Sequence, residues 1–533
     1  MNHRMLMASL ILIPVIFGIV LYKLPLKIGR IVLLGVQAFL LVLAVFLYVQ
    51  TANNGELYTI LGGDSPILNI VLRGNRLSFL LVMVTNFLFS VGFIYKLTDR
   101  FFDGKAMLLY LVLQGLTSGI FLTDDFFNLF ILFEVSTVVT TLLLMFKKDG
   151  RVVYDALYYL ITQMVSMMFF LFGVGFLYRL FGMLSISEIV RLIPYAPASE
   201  LVLPFSFLMA GLCFKLGFFP MHGWVSRAYG LNSAPITQIA VMSSIIMKTA
   251  LYWVLYFHEM FLPAFDYSPV LIVVAVATAL FASVKAVSQK DIRVMLAFST
   301  VSQIGFMFAA SLIGNDYSDM GSWYHMVTHA LFKMILFLSA GVIIRKYETA
   351  DIHKIRGVMV RLPFAGVVSV VGILSITGFP LTSGSISKYF MTKGLGNVWL
   401  EILFWVMSFG TILVFVKYGS MLLPGDDNTK FEVKWLKKLS LTLLTGVSLG
   451  LGVIMHHGIN HLLGASLVID TGSFAMKGLI YVGLVFVAMV VYKKLIHQRQ
   501  IVYTMEHSLS FSRMCLVLLA FFAMLVGYGV VFL

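Results

Sequence analysis

Glu134, Lys215, Lys248 and Lys333 each stand well inside an apolar run long enough to cross a bilayer. A charge at the centre of such a run costs about 2.5–3.5 kcal/mol on insertion scales, and residues of this kind normally face a water-filled or proton-conducting path. Glu134, near the middle of residues 126–146, either holds a proton or has a cationic partner; the plain alternative is a packing carboxyl bonded to a neighbouring hydroxyl. Lysine suits a relay because its amine can be tuned to exchange a proton near neutrality, which a guanidinium cannot. Lys215 precedes a turn sequence, and Lys248 lies mid-run among Ser243, Ser244 and Thr249. Snorkelling to the interface suits a lysine at a helix end, such as Lys417, better than Lys248.

His325, His329 and Lys333 follow at i, i+4 and i+8, so a helix stacks them on one face about 6 Å apart. Imidazole exchanges protons near neutral pH, and the stripe reads as a segment of proton wire. Two histidines one turn apart could instead ligate a metal, but no HExxH or third ligand accompanies them; ordinary buried histidines are the other reading. Residues 289–303 add Gln289, Asp291, Arg293, Ser299, Thr300, Ser302 and Gln303, which can hold water or fasten helices together.

The elements that position these groups are membrane helices. The chain is 60% hydrophobic and 12% charged, and apolar runs of about 20 residues, the length that spans a ~30 Å hydrocarbon core, recur from end to end. Sixteen spans are predicted: 6–22, 31–50, 75–95, 106–122, 126–146, 157–178, 201–220, 236–257, 269–284, 294–313, 322–344, 363–383, 398–416, 439–457, 477–492 and 514–532. The pattern excludes a β-barrel, whose segments are short and alternating, and a soluble domain. Met1 to Tyr22 lacks a small-x-small cleavage site and reads as the first span.

The net charge of +14 is distributed between spans and implies no nucleic-acid partner. Odd-numbered loops carry Lys23, Lys27, Arg30, Lys96, Arg100, Lys105, Lys147, Lys148, Arg151, Arg345, Lys346, Lys354, Arg356 and Arg361; even-numbered loops hold little beyond Arg73, Arg76, Arg179 and Arg191, with Asp124, Asp125, Glu259 and Asp316. The positive-inside rule therefore makes the odd loops cytoplasmic and puts both termini outside, with Arg4 the dissenting charge.

Two spans are broken at depth, by Gly217-Phe218-Phe219-Pro220 after Lys215 and by Gly378-Phe379-Pro380 before Ser383-Gly384-Ser385 and Lys388. Broken helices free backbone groups that must face protein or water. The breaks lie five spans apart, and an odd offset means opposite orientation, as in an inverted repeat of spans 4–8 against 9–13. The expected organisation is 1–105 as N-terminal helices, 106–260 and 261–422 as two repeats, and 423–533 as C-terminal helices.

Nucleotide, hydrolase, haem and iron–sulfur motifs are absent from the sequence, so no cofactor or catalytic site is expected within this chain. Cys213 and Cys515 read as small apolar-run residues, and Asp124-Asp125 as a solvated turn.

At the charged residues the chain resembles the antiporter-like subunits shared by respiratory complex I, membrane-bound hydrogenases and Mrp cation/proton antiporters. The resemblance rests on Asn128-Leu129-Phe130 through Phe133-Glu134-Val135-Ser136, Lys215 through Phe219-Pro220-Met221-His222-Gly223-Trp224, and Ala234-Pro235 leading to Lys248. It continues through Gln289-Lys290-Asp291, Ser299-Thr300-Val301-Ser302-Gln303-Ile304-Gly305, His329-Ala330-Leu331-Phe332-Lys333 and Gly378-Phe379-Pro380 to Lys388. It covers about residues 75–420. It implies an all-α polytopic membrane protein with a 14-helix core, two inverted five-helix repeats containing broken helices, and about two further C-terminal helices. It also implies an ion pair of Glu134 with Lys215, a central relay at Lys248, a link between half-channels through His329 and Lys333, and an exit lysine at Lys388. Lysine at that last position resembles the D-type Mrp subunit and some complex I members. The family's usual Leu-Pro-Asp-Ala after Trp224 is here Val225-Ser226-Arg227-Ala228, and its Pro-Val-Ser after Ala-Pro is Ile236-Thr237-Gln238.

The leading expectation is a proton-translocating subunit of a larger complex in a bacterial or archaeal cell membrane, with Na+/H+ antiport left open and H+, Na+, lipid and other membrane subunits as partners. A membrane enzyme of lipid or glycan chemistry would need interfacial acid or histidine clusters. A structural subunit with vestigial charges would be expected to have lost some of the relay residues.

Overall fold

The computed structural model describes residues 3–62, 69–99, 102–146, 150–230, 234–425, 429–497 and 510–532; Arg100, Lys147 and Lys148, counted above in the odd loops, lie outside them. Fifteen helices there are long and apolar enough to cross a membrane, and Pro363–Thr377, the first half of a broken helix, completes a series that matches each of the sixteen predicted spans. The chain is thus a polytopic α-helical membrane protein. Spans are referred to by order; those used below are the second (Leu26–Asn54), third (Arg76–Lys96), fifth (Phe126–Leu144), sixth (Gly150–Phe181), seventh (Ala198–Leu216), eighth (Ile236–Phe261), tenth (Ile292–Ser311), eleventh (Asp316–Tyr347), twelfth (beginning with Pro363–Thr377), thirteenth (Val398–Leu422) and fifteenth (Thr471–Ile496).

The tenth span is the axis of the molecule: every residue from Ile292 to Ser311 is buried. The fifteenth span lies at the other extreme, with only Tyr481 and Ala488 buried between Thr471 and Val491. A helix apolar on all sides and largely uncovered by protein belongs against lipid.

Side chains in the loops start the helices. Asn75 and Ser78 form a reciprocal capping box at the third span, and Asp103, Asp125, Asp291, Asn315 and Asp470 each accept a backbone N–H in the first turn of the helix that follows. Such caps satisfy donors that a membrane helix would otherwise leave bare.

Both predicted breaks are present. The seventh span stops at Gly217 (φ 71°) and resumes as Gly223–Tyr229; the twelfth stops at Gly378 (φ 89°) and resumes as Ser383–Met391. In each, the next N–H reaches back five residues, Phe218 to the Cys213 carbonyl at 3.1 Å and Phe379 to the Leu374 carbonyl at 2.9 Å. This closes the helix end in the manner of a Schellman cap, where glycine avoids the left-handed Cβ penalty. The Phe219–Pro220 peptide is cis.

A second correspondence is independent of the breaks. Phe126 N–H donates to the Leu184 carbonyl and Ile186 N–H to that of Asp124; Ile292 N–H donates to the Ala350 carbonyl and Ile352 N–H to that of Lys290. Every member of the second set lies 166 residues after its counterpart, 292 less 126 and 350 less 184 alike. The same two-bond clasp thus joins the start of the fifth span to the segment after the sixth, and the start of the tenth to the segment after the eleventh. Because five spans separate the two clasps, they lie on opposite membrane sides.

Two features depart from the sequence reading. Leu57–Leu61 and Ile70–Gly74 form an antiparallel hairpin between the second and third spans. The Asp124-Asp125 turn is packed rather than solvated: Asp124 is 4% exposed and accepts from the Ser185 and Ser187 hydroxyls, while Asp125 caps the fifth span. Desolvation raises both carboxyls above their ordinary pKa, with the Ser187 hydrogen bond opposing the shift at Asp124.

Candidate proton path

The fifth span carries Glu134 and, three residues on, Thr137, which share a helix face. Lys215, at the last turn before the first break, donates from Nζ to Thr137 Oγ1 at 2.9 Å and lies 5.2 Å from the Phe133 ring centroid. The expected Glu134–Lys215 ion pair is not formed; among the described residues no salt bridge joins them. Glu134 Oε1 is buried without a hydrogen-bond partner, and the two charges stay within electrostatic reach. Thr137 takes the place the carboxylate was expected to hold because it is nearer the end of the lysine stem.

Lys248 is fully buried in the eighth span and donates to the Ser243 carbonyl, which lies in a π-helical turn, Met242–Ile246. Such a turn widens the helix and frees acceptors. The Ser243 hydroxyl meets Thr300 Oγ1 of the tenth span at 2.6 Å. From the eleventh span, Lys333 donates to the Leu296 carbonyl at 2.9 Å and to the hydroxyl of Ser299. Adjacent residues of the central helix, Ser299 and Thr300, therefore hold Lys333 directly and Lys248 through Ser243.

The stripe of the eleventh span is present, and its members differ. His325 Nδ1 meets Ser387 Oγ at 2.7 Å and its Nε2 meets Gln303 Oε1 at 3.0 Å; the Gln303 amide donates to Thr411 Oγ1 at 2.8 Å. His325 thus joins the tenth, twelfth and thirteenth spans. His329, with its ring centroid 5.8 Å from that of His325, has neither ring nitrogen hydrogen-bonded although both are buried. Direct hydrogen bonds do not join the three groups, so proton passage along them needs rotamer motion or water.

Lys388, after the second break, donates to the Ile376 and Thr377 carbonyls at 3.0 and 3.2 Å. These are the last carbonyls of the half-helix, where orphan acceptors and the negative end of the dipole favour a cation. The four lysines and two histidines of the predicted path are all buried.

Sequence reasoning did not identify Thr137, Ser387 or Thr411. Hydroxyls in membrane helices are common, and nothing in one-dimensional spacing marks which will meet an amine. Gln303 and the Ser299-Thr300 pair were legible as polar positions without an assignable partner.

A cavity of about 490 Å³ opens at the basic-loop ends of the spans, lined by Lys96, Asp99, Arg293, Arg345 and Lys437 among others. At its inner wall Lys96 Nζ donates to the Tyr110 hydroxyl at 2.8 Å, itself 3.0 Å from Thr237 Oγ1.

The family described as NADH:quinone oxidoreductase/Mrp antiporter, TM, matches residues 123–416. The chain is 33% identical over 313 residues to NADH-quinone oxidoreductase subunit N of Desulforudis audaxviator, a match that takes in 57% of this chain and 62% of that one, under two thirds of the relative's length. It is 26% identical over 398 residues to a Na(+)/H(+) antiporter subunit of Bacillus subtilis, covering 72% of this chain and 79% of the relative. A chain in the structure of the Mrp complex from Dietzia sp. DQ12-45-1b superposes with a TM-score of 0.80 at 19% identity, covering 90% of this chain and all of the other; at that identity the likeness concerns fold.

Proposed function

The chain belongs to the NADH:quinone oxidoreductase/Mrp antiporter transmembrane family, and on that premise we propose that it is a proton-translocating subunit of a larger membrane assembly. The observation that carries the reading is the set of buried exchangeable amines and imidazoles strung between two helix breaks. Several lysines at membrane depth, held by hydroxyls and carbonyls without a salt-bridged carboxylate among the described residues, are costly to keep for packing alone. Glu134 biases the charge on Lys215, Lys248 and Lys333 meet at the central helix, His329 and His325 connect them onward, and Lys388 stands at the far end. Residues 106–260 and 261–422 are the two half-channels, flanked by 1–105 and 423–533.

The basic loops face the cytoplasm and both termini the outside of a bacterial or archaeal cell membrane, so the 490 Å³ cavity is the cytoplasmic mouth. The partners are further membrane subunits of an Mrp-type or complex I-like assembly, and the transported ion is H+. Exchange for Na+ is the variant favoured by the similarity to the Bacillus subtilis antiporter chain. The test is proton movement in vesicles containing the assembled complex, after pulses of NaCl, KCl or choline chloride and again after an imposed pH gradient. A fall of about two orders of magnitude in proton movement is expected in Lys215→Ala, with the chain still in the membrane; undiminished movement would reject the reading.

A further inference from the structure

The fifteenth span lies beyond the region matched by the family, residues 123–416, and most of its surface is exposed. Tyr481 is one of its two buried residues, and Lys477, one helical turn earlier, is half-buried. Tyr481 is 8% exposed, and its hydroxyl meets Thr377 Oγ1 at 2.8 Å. Thr377 is the residue whose carbonyl accepts from Lys388. Lys477 Nζ donates to Thr392 Oγ1 at 2.6 Å and to the Thr392 carbonyl at 3.1 Å, and Thr392 Oγ1 in turn donates to the Lys388 carbonyl at 2.9 Å. A peripheral helix thus places an amine and a phenol against the two ends of the Lys388 site.

The space between them is continuous. A cavity of about 50 Å³ is lined by Lys388, Thr377, Thr392, Lys477 and Tyr481. Since about 10–15 Å³ of such space admits a water, the cavity has room for a short chain of waters along the wall that runs from Lys388 to Lys477. A second, more open cavity of about 330 Å³ is lined by Lys477, Thr392, Lys393, Glu401 and Ser473. Lys477 and Thr392 line both, so Lys477 stands on the boundary between the smaller chamber and the more open one. Both lie towards the even-numbered loops, opposite the basic loops.

We infer that Lys477, with Tyr481, is the outer proton station of the path, contributed by a C-terminal helix from outside the two repeats. This rests on the proposed function. The Lys388 ammonium gives a proton to the waters of the small cavity, and these pass one to the neutral Lys477 amine. The resulting Lys477 ammonium releases its proton to the open cavity beside Glu401. Lys388 returns to the neutral amine, and the sequence runs in reverse for inward movement. Tyr481 holds Thr377, keeping its carbonyl on Lys388, and is a positioning residue.

The test uses the full chain in its native assembly, in vesicles of known orientation, with flux normalised to the amount of chain in the membrane. Proton flux after an imposed gradient is recorded as a function of pH on the outer side for wild type, Lys388→Ala, Lys477→Ala, Lys477→Arg and Lys477→His. Loss of one relay group costs on the order of a hundredfold at Lys388 but only about tenfold at Lys477, where open water partly substitutes. Lys477→His is expected to recover flux with its outer-pH dependence displaced downwards, and Lys477→Arg, which keeps the charge without releasing a proton, to fall with Lys477→Ala. Wild-type flux and outer-pH profile in Lys477→Ala or Lys477→Arg, with Lys388→Ala inactive, would overturn the inference and leave the path standing. Normal flux in Lys388→Ala and Lys215→Ala would instead remove the path itself.

Discussion

The two broken helices solve one problem with different chemistry. At the first break the buried amine, Lys215, lies before the interruption, bonds a side-chain hydroxyl, Thr137, and has the Glu134 carboxylate within electrostatic reach. At the second, Lys388 lies after the interruption and bonds only main-chain carbonyls of the preceding half-helix, with no carboxylate in salt-bridge range among the described residues. A mobile carboxylate can change the charge on its lysine by gaining or losing a proton. A helix end is a fixed partial charge. Under the proposed function, the first half would be switched by its own acid, and the second set by the water and pH it opens onto.

Removing either amine tests both halves at once and has the largest expected effect. Lys215→Ala and Lys388→Ala should each lower proton flux by about two orders of magnitude, the scale of a lost proton-transfer group. Glu134→Gln should separate the halves: it keeps size and hydrogen-bonding capacity but removes the switch, so flux should fall and lose its dependence on pH at the basic-loop side, while Lys388-dependent behaviour at the other side stays. Equal pH dependence of Glu134→Gln and wild type would break the distinction.

Backbone substitutions probe the same contrast in stability. At Gly384 an added Cβ would overlap the Ser375 carbonyl of the facing half-helix, so Gly384→Ala must push the two halves of the break apart. Gly217 faces no such backbone; an added Cβ there meets a Val225 methyl and the left-handed backbone penalty of about 1–2 kcal/mol. Thermal unfolding in detergent should rank Gly384→Ala below Gly217→Ala, and the reverse order would show that the second break is the looser.

The smallest effect concerns the paired clasps. Asp125→Ala and Asp291→Ala remove matched caps at the starts of the fifth and tenth spans, each worth about 1 kcal/mol. Asp291 also pairs with Arg293 at 2.5 Å, so its removal should cost more. Equal unfolding temperatures for the two variants would argue that this ion pair contributes nothing.

The spans were legible because a bilayer demands length and apolarity, both one-dimensional quantities, and the breaks because glycine and proline report backbone geometry locally. Lys215, Lys248, His325, His329, Lys333 and Lys388 could be picked out for the complementary reason, that charge at depth is rare. Their partners could not. Nothing in the spacing distinguishes Thr137, which meets Lys215, from Thr140, which does not, since that depends on how the fifth and seventh spans rotate about their axes. Lys477 was hidden for another reason: it stands near the start of its helix, and only packing of that helix against the thirteenth span brings it to Thr392 at the end of the twelfth. The Asp124-Asp125 turn misled in the opposite sense, since two adjacent acids in a short loop look solvated until the hairpin and the 185–187 segment close over them.

The central claim is that protons cross through exchangeable amines, and Lys248 tests it most directly because it is fully buried at the junction of the two halves. Proton flux should be compared in vesicles containing wild type, Lys248→Ala and Lys248→Arg at equal amounts of inserted chain. Guanidinium keeps the charge but does not release its proton in this range. The account predicts that Lys248→Arg falls nearly as far as Lys248→Ala; near-wild-type flux in the arginine variant would contradict it and leave Lys248 as a static charge.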